Sequence, residues 1–255
     1  MLKSLTVAAL KRLGYTIYRT HNFTIAEYRA ACSDMDEDFF PLFEQCKPFT
    51  MTTIERMYAL YKAVEYVVTN QIPGDIVECG VWKGGSIMLI ALTLQRLGDK
   101  SRSIYLYDTF DGMSEPTGRD VDKLNRSAVE YLQAAPKESN IIWAYASLPE
   151  VQNNVLSTGY PTNKVVFVQG KVEDTLPSTC PSKISLLRLD TDWYESTYHE
   201  MRCLFPLVSP RGVLIQDDYG EWRGAKDATD RYLREERLSL LLQRIDSSAR
   251  LAIKT

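Results

Sequence analysis

The sequence predicts an α/β fold around a mostly parallel sheet, and three observations predict it. Two apolar strands stop abruptly in carboxylates: Ile184-Ser-Leu-Leu-Arg-Leu runs into Asp190 and Asp192, and Gly212-Val-Leu-Ile-Gln runs into Asp217 and Asp218. Between them, residues 194–205 place Tyr198, Met201, Leu204 and Phe205 at helical spacing, closed by Pro206, Pro210 and Gly212. Strand, helix, strand makes the two strands parallel, with their carboxyl ends on one edge of the sheet. Upstream, residues 74–98 repeat the logic as strand, glycine loop and helix. Ligands of open α/β sheets bind at that carboxyl edge.

The acid edge carries the chemistry. Four carboxylates gathered there repel one another unless a cation lies between them. Aspartate oxygens with room for water or substrate suit Mg²⁺ or a similar hard ion better than zinc, which favours His or Cys. The competing reading of an acid pair after a strand is a solvated loop or a helix cap. Asp190 arriving at the same edge as Asp217 and Asp218 favours the metal.

The bounds agree with a single large α/β unit. At 255 residues the chain is long enough for a well-buried core. A net charge of −3 gives no reason to expect nucleic acid as a partner. Cys32, Cys46, Cys79, Cys180 and Cys203 are scattered singly, which argues for a reducing compartment rather than a disulfide frame. No apolar run approaches the ~20 residues of a membrane span. Met1 to Gly14 reads as an amphipathic helix, its apolar run broken by Lys11 and Arg12. A cytoplasmic protein is the expectation. Residues 1–49 form a separate N-terminal helical segment, read either as a lid or as an oligomerisation arm, ahead of the main domain at 50–255.

From Thr50 the elements follow in order. Thr52 and Glu55 stand in capping-box spacing, and Met57, Leu60, Tyr61, Val64, Val67 and Val68 form a buried helical stripe. The helix N-terminus at Thr50-Met-Thr-Thr53 offers free N–H groups to an anionic ligand group. Gly74-Asp-Ile-Val-Glu-Cys-Gly-Val-Trp-Lys-Gly-Gly-Ser86 lacks the spacing of the dinucleotide fingerprint. A strand ending in an acid and turning through Glu-x-Gly resembles instead the cofactor opening of class I S-adenosylmethionine methyltransferases. There Gly80 would admit the ligand and Glu78 would face its cationic amino end. A second strand, Ser103 to Tyr107, ends in Asp108, placed like the acid that grips ribose hydroxyls. Helices are expected over Asp120 to Ala135 and Leu148 to Ser157, and a strand over Lys164 to Val168. Trp222-Arg-Gly-Ala-Lys226 opens a further helix, and the tail from Leu238 to Lys254 reads as a closing hairpin.

Five ordered motifs carry a closer resemblance: Val77 to Ser86, Leu106-Tyr-Asp-Thr-Phe-Asp-Gly-Met113, Glu173-Asp-Thr-Leu-Pro177, Arg188 to Thr197, and Ile215-Gln-Asp-Asp-Tyr-Gly220. Together, over roughly residues 50 to 235, they resemble the macrocin O-methyltransferase family, which includes the mycinamicin and novobiocin sugar methyltransferases. The resemblance implies a Rossmann-like class I methyltransferase fold, with helices on both faces of the sheet and a C-terminal antiparallel hairpin. It implies S-adenosylmethionine and Mg²⁺ as cofactors, a sugar or glycoside acceptor, and a homodimer or higher homo-oligomer. It places Asp190, Asp217 and Asp218 on the metal and makes Asp192 the candidate base. It puts Glu78, Gly80, Ser86 and Asp108 around the cofactor's amino acid and ribose, Gly170, Val172 and Glu173 beside the adenine, and Met51 and Thr52 over the methionine end. Two departures stand out: Gly170-Lys-Val-Glu where relatives often carry Gly-Trp-Phe, and Gln216 where an apolar residue is usual.

Asp192 keeps two readings from sequence alone. Alternation along the strand turns it to the same face as Asp190, as a base requires, while its place before Trp193 also suits an N-cap. Two rival functions remain. One is a metal-dependent methyltransferase of catechols or phenols. Such enzymes typically carry a lysine soon after the first metal aspartate, where this chain has Thr191-Asp-Trp-Tyr194. The other is a non-catalytic methyltransferase-like binding module, which would have no need of mutually repelling acids.

Overall fold

The computed structural model describes residues 23–134, 136–137 and 141–255, so the helix expected before Gly14 lies outside the described residues. The chain divides into two units, the first ending at Phe40 and the second running from Pro41 to Thr255. In the first, helix α1 (Ile25–Ala31) starts at Thr24, whose side chain and that of Glu27 complete a capping box. The boundary falls within helix α2 (Phe39–Cys46), after its second residue. The rest belongs to the second unit.

That unit is a seven-stranded sheet. Its strands are β1 (Asp75–Cys79), β2 (Ile104–Asp108), β3 (Val165–Gln169), β4 (Ile184–Leu189), β5 (Val208–Gln216), β6 (Gln243–Arg244) and β7 (Arg250–Ile253). The spatial order is β3-β2-β1-β4-β5-β7-β6. The first five neighbours are parallel, and β7 and β6 close the edge antiparallel, as the tail pattern predicts. The chain order reverses direction beside β1, between β2 and β4, so a crevice opens at their carboxyl ends.

The helices divide into two layers. α3 (Ile54–Thr69), α4 (Gly85–Arg96) and α6 (Leu148–Leu156) pack together, and so do α7 (Val172–Thr175), α8 (Tyr194–Leu204) and α9 (Arg223–Glu235). Strand alternation assigns the sheet's faces. Val77, Cys79, Leu187, Leu189 and Leu214 join Met201, Leu204, Phe205 and Tyr232 in one core. The intervening residues, including Glu78 and Arg188, therefore point to the opposite face. All six residues of β4 are buried, which a central parallel strand demands.

Three boundaries differ from the sequence reading. The cap of α3 is Thr53, which accepts from the Arg56 amide at 3.3 Å, while Thr52 bonds Thr50. Moving the cap one residue on puts Arg56, not Glu55, at the third helical position, so no capping box forms. The helix expected over Asp120 to Ala135 shrinks to α5 (Ala128–Gln133). Asp122 accepts from the amides of Leu124 and Arg126 at 2.8 and 2.9 Å, and such short-range bonds compete with a helix. Finally, β5 begins at Val208 and takes Pro210 and Gly212 into the strand. The register jump between Ile184–Val208 and Leu186–Val213 leaves exposed Pro210 and Arg211 outside the ladder.

Beneath the β4–α8 turn lies a buried carboxyl. Glu200 of α8 is fully buried and accepts from Thr191 Oγ1 at 2.9 and 3.1 Å. Burial pushes its pKa up to about 8. The folded protein therefore holds a proton there that the unfolded chain releases near its usual value of ~4.3. Stability carried by this group is full below that value and falls as pH rises toward 8, by a few kcal/mol on the order of the shift. Glu200→Gln keeps a neutral acceptor for Thr191 and should flatten that decline. Urea unfolding of both proteins across this pH range checks it, and parallel pH profiles would contradict it.

Candidate active site

A pocket of about 220 Å³ lies over the crevice. Its wall gathers residues far apart in the chain: Met51 and Thr52 before α3, Gly80 and Trp82 after β1, Asp108 and Thr109 after β2, Gly170, Val172 and Glu173 after β3, Asp190 to Asp192 after β4, and Asp217 and Asp218 after β5. All but Met51 and Thr52 sit at the carboxyl end of a strand or just past it, so strand polarity brings those residues together. Arg56, Tyr107, Gly112, Met113, Ser114, Ala144 and Ser196 complete the wall.

Two expected cofactor residues do not reach this wall. Glu78 is fully buried, and Ser86 nearly so. Glu78 lies one residue inside the strand end and is paired in register with Arg188 across β1 and β4. Its Oε1 accepts from Arg188 Nη1 and Ser86 Oγ, each at 2.5 Å. Alternation turns this acid onto the sheet's face and not off its edge.

Gly80 has a second constraint besides ligand approach. Its φ is +80°, and a Cβ there would stand 2.0 Å from the carbonyl oxygen of Asp190. The glycine lets β1 and β4 turn out of the sheet side by side. Next to it, Asp108 accepts from the amides of Val81 and Phe110 at 2.8 and 2.7 Å. Burial raises the pKa of Asp108, and these amides oppose the rise.

The acid cluster is dense. Asp190, Asp217 and Asp218 each offer an oxygen, all within 4.8 Å of one another. Burial first, and then the neighbouring aspartates, raise Asp190 and Asp218 well above the carboxylate range. Burial and Asp190 push Asp192 up to about 7, and Asp192 shares a hydrogen bond with Asp218. Acids this reluctant to ionise call for a cation. Part of the need is met by arginines that the sequence reading left without a role. Arg188 Nη1 lies 2.8 Å from Asp190 and its Nη2 lies 2.6 Å from Asp217, while Arg56 Nη1 lies 2.5 Å from Asp217. The signal for Arg188 was a lone charge inside an apolar strand, which has to be paired once buried.

The two arginines do not satisfy the cluster. Oδ2 of Asp218 is buried without a hydrogen-bond partner, and so is Oε2 of Glu78. An all-oxygen donor set with an orphaned carboxylate oxygen at a pocket wall fits a hard divalent ion.

Asp192 is not a cap. Its φ of +65° ends the strand geometry that the alternation argument assumed, and α8 is capped at Trp193 with no side-chain cap bond. The α8 amide of Tyr194 is taken instead by Asp120, at 2.8 Å. Trp193 is packing: its indole donates to the Ser114 carbonyl at 3.0 Å and meets Trp222 edge-on, ring centroids 5.0 Å apart. The Tyr194 ring stacks on Tyr198 and lies under Arg119. Mid-helix His199 packs near the Leu176 carbonyl. Gln216 is buried with its amide on Thr229, which accounts for a polar residue there.

Two substitutions test this geometry. Arg188→Met leaves buried acids uncompensated and should cost about 3–5 kcal/mol, read from urea unfolding. An unchanged midpoint would contradict the pairing. Gly80→Ala forces the Asp190 carbonyl aside and strains the backbone, costing about 1–3 kcal/mol and weakening Mn²⁺ binding by calorimetry. Binding at wild-type strength would show that Asp190 does not depend on this contact.

Comparison with known proteins agrees with the geometry. The family model for macrocin-O-methyltransferase (TylF) matches residues 2–252. The chain is 36% identical to 8-demethyl-8-(2,3-dimethoxy-alpha-L-rhamnosyl)-tetracenomycin-C 4'-O-methyltransferase of Streptomyces olivaceus, over 67% of this chain and 62% of that protein. It is 34% identical to demethyldecarbamoylnovobiocin O-methyltransferase of Streptomyces niveus, over 72% of this chain and 67% of that protein. The match thus spans less than two thirds of the first relative's length. Among solved structures, the O-methyltransferase NovP superposes with a TM-score of 0.71 at 31% identity, covering 81% of this chain and 82% of that one. The fold is that of class I methyltransferases, and the chain belongs to the macrocin-O-methyltransferase (TylF) family.

Proposed function

We propose that this chain is an O-methyltransferase that moves a methyl group from S-adenosylmethionine to a hydroxyl of a sugar on a natural product or a polysaccharide precursor, with the help of Mg²⁺. One observation carries the reading: the three-aspartate cluster and the glycine-turned wall of β1 open into the same pocket. A relative named for a rhamnosyl-tetracenomycin and one named for demethyldecarbamoylnovobiocin support the acceptor class, the first of them by naming a sugar.

The cofactor side of the pocket is Met51, Thr52, Gly80, Asp108, Gly170, Val172 and Glu173. Asp108 is held by amides, so its carboxylate is set in place to accept from vicinal hydroxyls. Asp190, Asp217 and Asp218 would hold a divalent ion, which when bound lowers the pKa of an acceptor hydroxyl and fixes its position. Asp192 takes the hydroxyl's proton as the oxygen–carbon bond forms and the carbon–sulfur bond breaks. Asp192 lines the same pocket as the three aspartates that would hold the ion, which puts an acceptor for the proton beside the hydroxyl. Met113 and Ala144 give the acceptor an apolar wall, and confinement in one pocket supplies proximity. Beside the metal aspartates stands Thr191, not a lysine, which favours an aliphatic hydroxyl over a catechol.

Methyl transfer from labelled cofactor to a rhamnosyl glycoside and to a catechol, each with Mg²⁺ and with EDTA, tests the proposal. Turnover of the glycoside alone, abolished by EDTA, is expected. Catechol turnover would replace the acceptor class, and no transfer to either would favour a binding module. Asp192→Asn should keep S-adenosylhomocysteine affinity while lowering turnover ~10²-fold or more. Turnover at the wild-type rate would remove Asp192 as the base.

A further inference from the structure

Both oxygens of Asp217 are taken by arginine, and the two arginines are held differently. Arg188 is fixed from three sides, with Glu78, Asp190 and Asp217 at 2.5, 2.8 and 2.6 Å. Arg56 comes from the first turn of α3, lines the pocket and keeps 17% of its side chain exposed. Its Nη1 is on Asp217 Oδ2, but its Nε is on Asp246 Oδ2 at 2.7 Å. Asp246 is itself fixed, accepting from the amides of Ser248 and Ala249 at 2.8 Å each. It stands outside the trio of Asp190, Asp217 and Asp218. One guanidinium thus bridges a candidate metal ligand and an anchor that no ion would contact.

An ion joining Asp190, Asp217 and Asp218 needs a lone pair of Asp217 on the pocket side. Arg188 can stay on Oδ1, buried behind the wall, because a carboxylate has about four lone-pair sites. Arg56 cannot keep its close hold on Oδ2 beside a second positive charge, which would repel it at short range in a poorly solvated site. We propose that Arg56 is a tethered counter-cation: it neutralises Asp217 while the site is empty of metal and yields Oδ2 to the incoming ion, remaining attached through Asp246. The inference rests on the divalent-ion reading above. It makes Arg56 a positioning residue that sets ion affinity, and it ties occupancy of the ion site to the start of α3, where Met51 and Thr52 line the pocket.

The test pairs two measurements on the full chain. Calorimetric titration of Mn²⁺ into wild type, Arg56→Met and Asp246→Asn should show about tenfold tighter binding in the first variant. In the second, where Asp217 is the guanidinium's remaining acid, binding should be several-fold weaker. Arginine side-chain NMR of the wild type, with Arg56 assigned from the signals lost in Arg56→Lys, should show its Nη resonances shifting on saturation with Mg²⁺ while Nε stays protected. Equal or weaker Mn²⁺ binding in Arg56→Met overturns the proposal, and so do unmoved Nη resonances at saturation. The NMR decides the matter if Arg56→Met does not fold. Absence of ion binding in wild type and variants alike would overturn the metal reading itself. Wild-type binding with an unchanged variant would overturn only the role of Arg56.

Discussion

A guanidinium lies inside the sheet at Arg188, and the acids of the carboxyl edge are arranged around it. Burying a charge in the middle of a parallel strand is tolerable only if it is paired and fully hydrogen-bonded. Here β1 supplies Glu78, the end of β4 supplies Asp190 and the end of β5 supplies Asp217. These acids come from three adjacent strands, so the pairing also fixes how those strands end relative to one another. The cluster can exist because half of its charge problem is solved below the pocket floor.

The upper half remains unsolved by protein groups. Asp218 keeps a buried oxygen without a partner, and burial among neighbouring acids raises the pKa values of both Asp192 and Asp218. A cation with oxygen preference would relieve both. The wall at the ends of β1 and β2 is built by other means, through glycines and amides rather than charge. At Gly80 the absence of a side chain lets Asp190 lie against the β1 turn, so one residue both shapes that turn and seats an acid of the cluster. The two halves of the site are therefore mechanically joined.

Much of this was legible in the sequence, and the reasons are specific. Strands β4 and β5 announced themselves because apolar runs ended in acids, and the helix between them fixed their polarity. The edge residues Asp190, Asp217 and Asp218 followed from that polarity, Gly80 and Asp108 from the ends of their own strands, and Gly170 from the family resemblance. What was illegible depends on long-range partners or on local competition. Glu78 looked like a ligand-facing acid because its partner Arg188 lies 110 positions away. Arg56 received no role from the sequence, because its partners Asp217 and Asp246 lie 161 and 190 positions away. The stretch from Asp120 carries a helical composition, yet Asp120 is spent on Thr117 and the start of α8, and Asp122 on its own turn. Side chains that bond their own backbone defeat periodicity.

The most direct test of the account is a crystal structure of the protein soaked with Mn²⁺ and S-adenosylhomocysteine, with anomalous diffraction to locate the ion. One anomalous peak among Asp190, Asp217 and Asp218 is expected, with the nucleoside in the same pocket beside Asp108 and Gly170. Nucleoside bound there with no ion at the aspartates would reduce the cluster to a structural network around Arg188. An ion at the aspartates with the nucleoside elsewhere would contradict the shared pocket on which the proposed reaction depends.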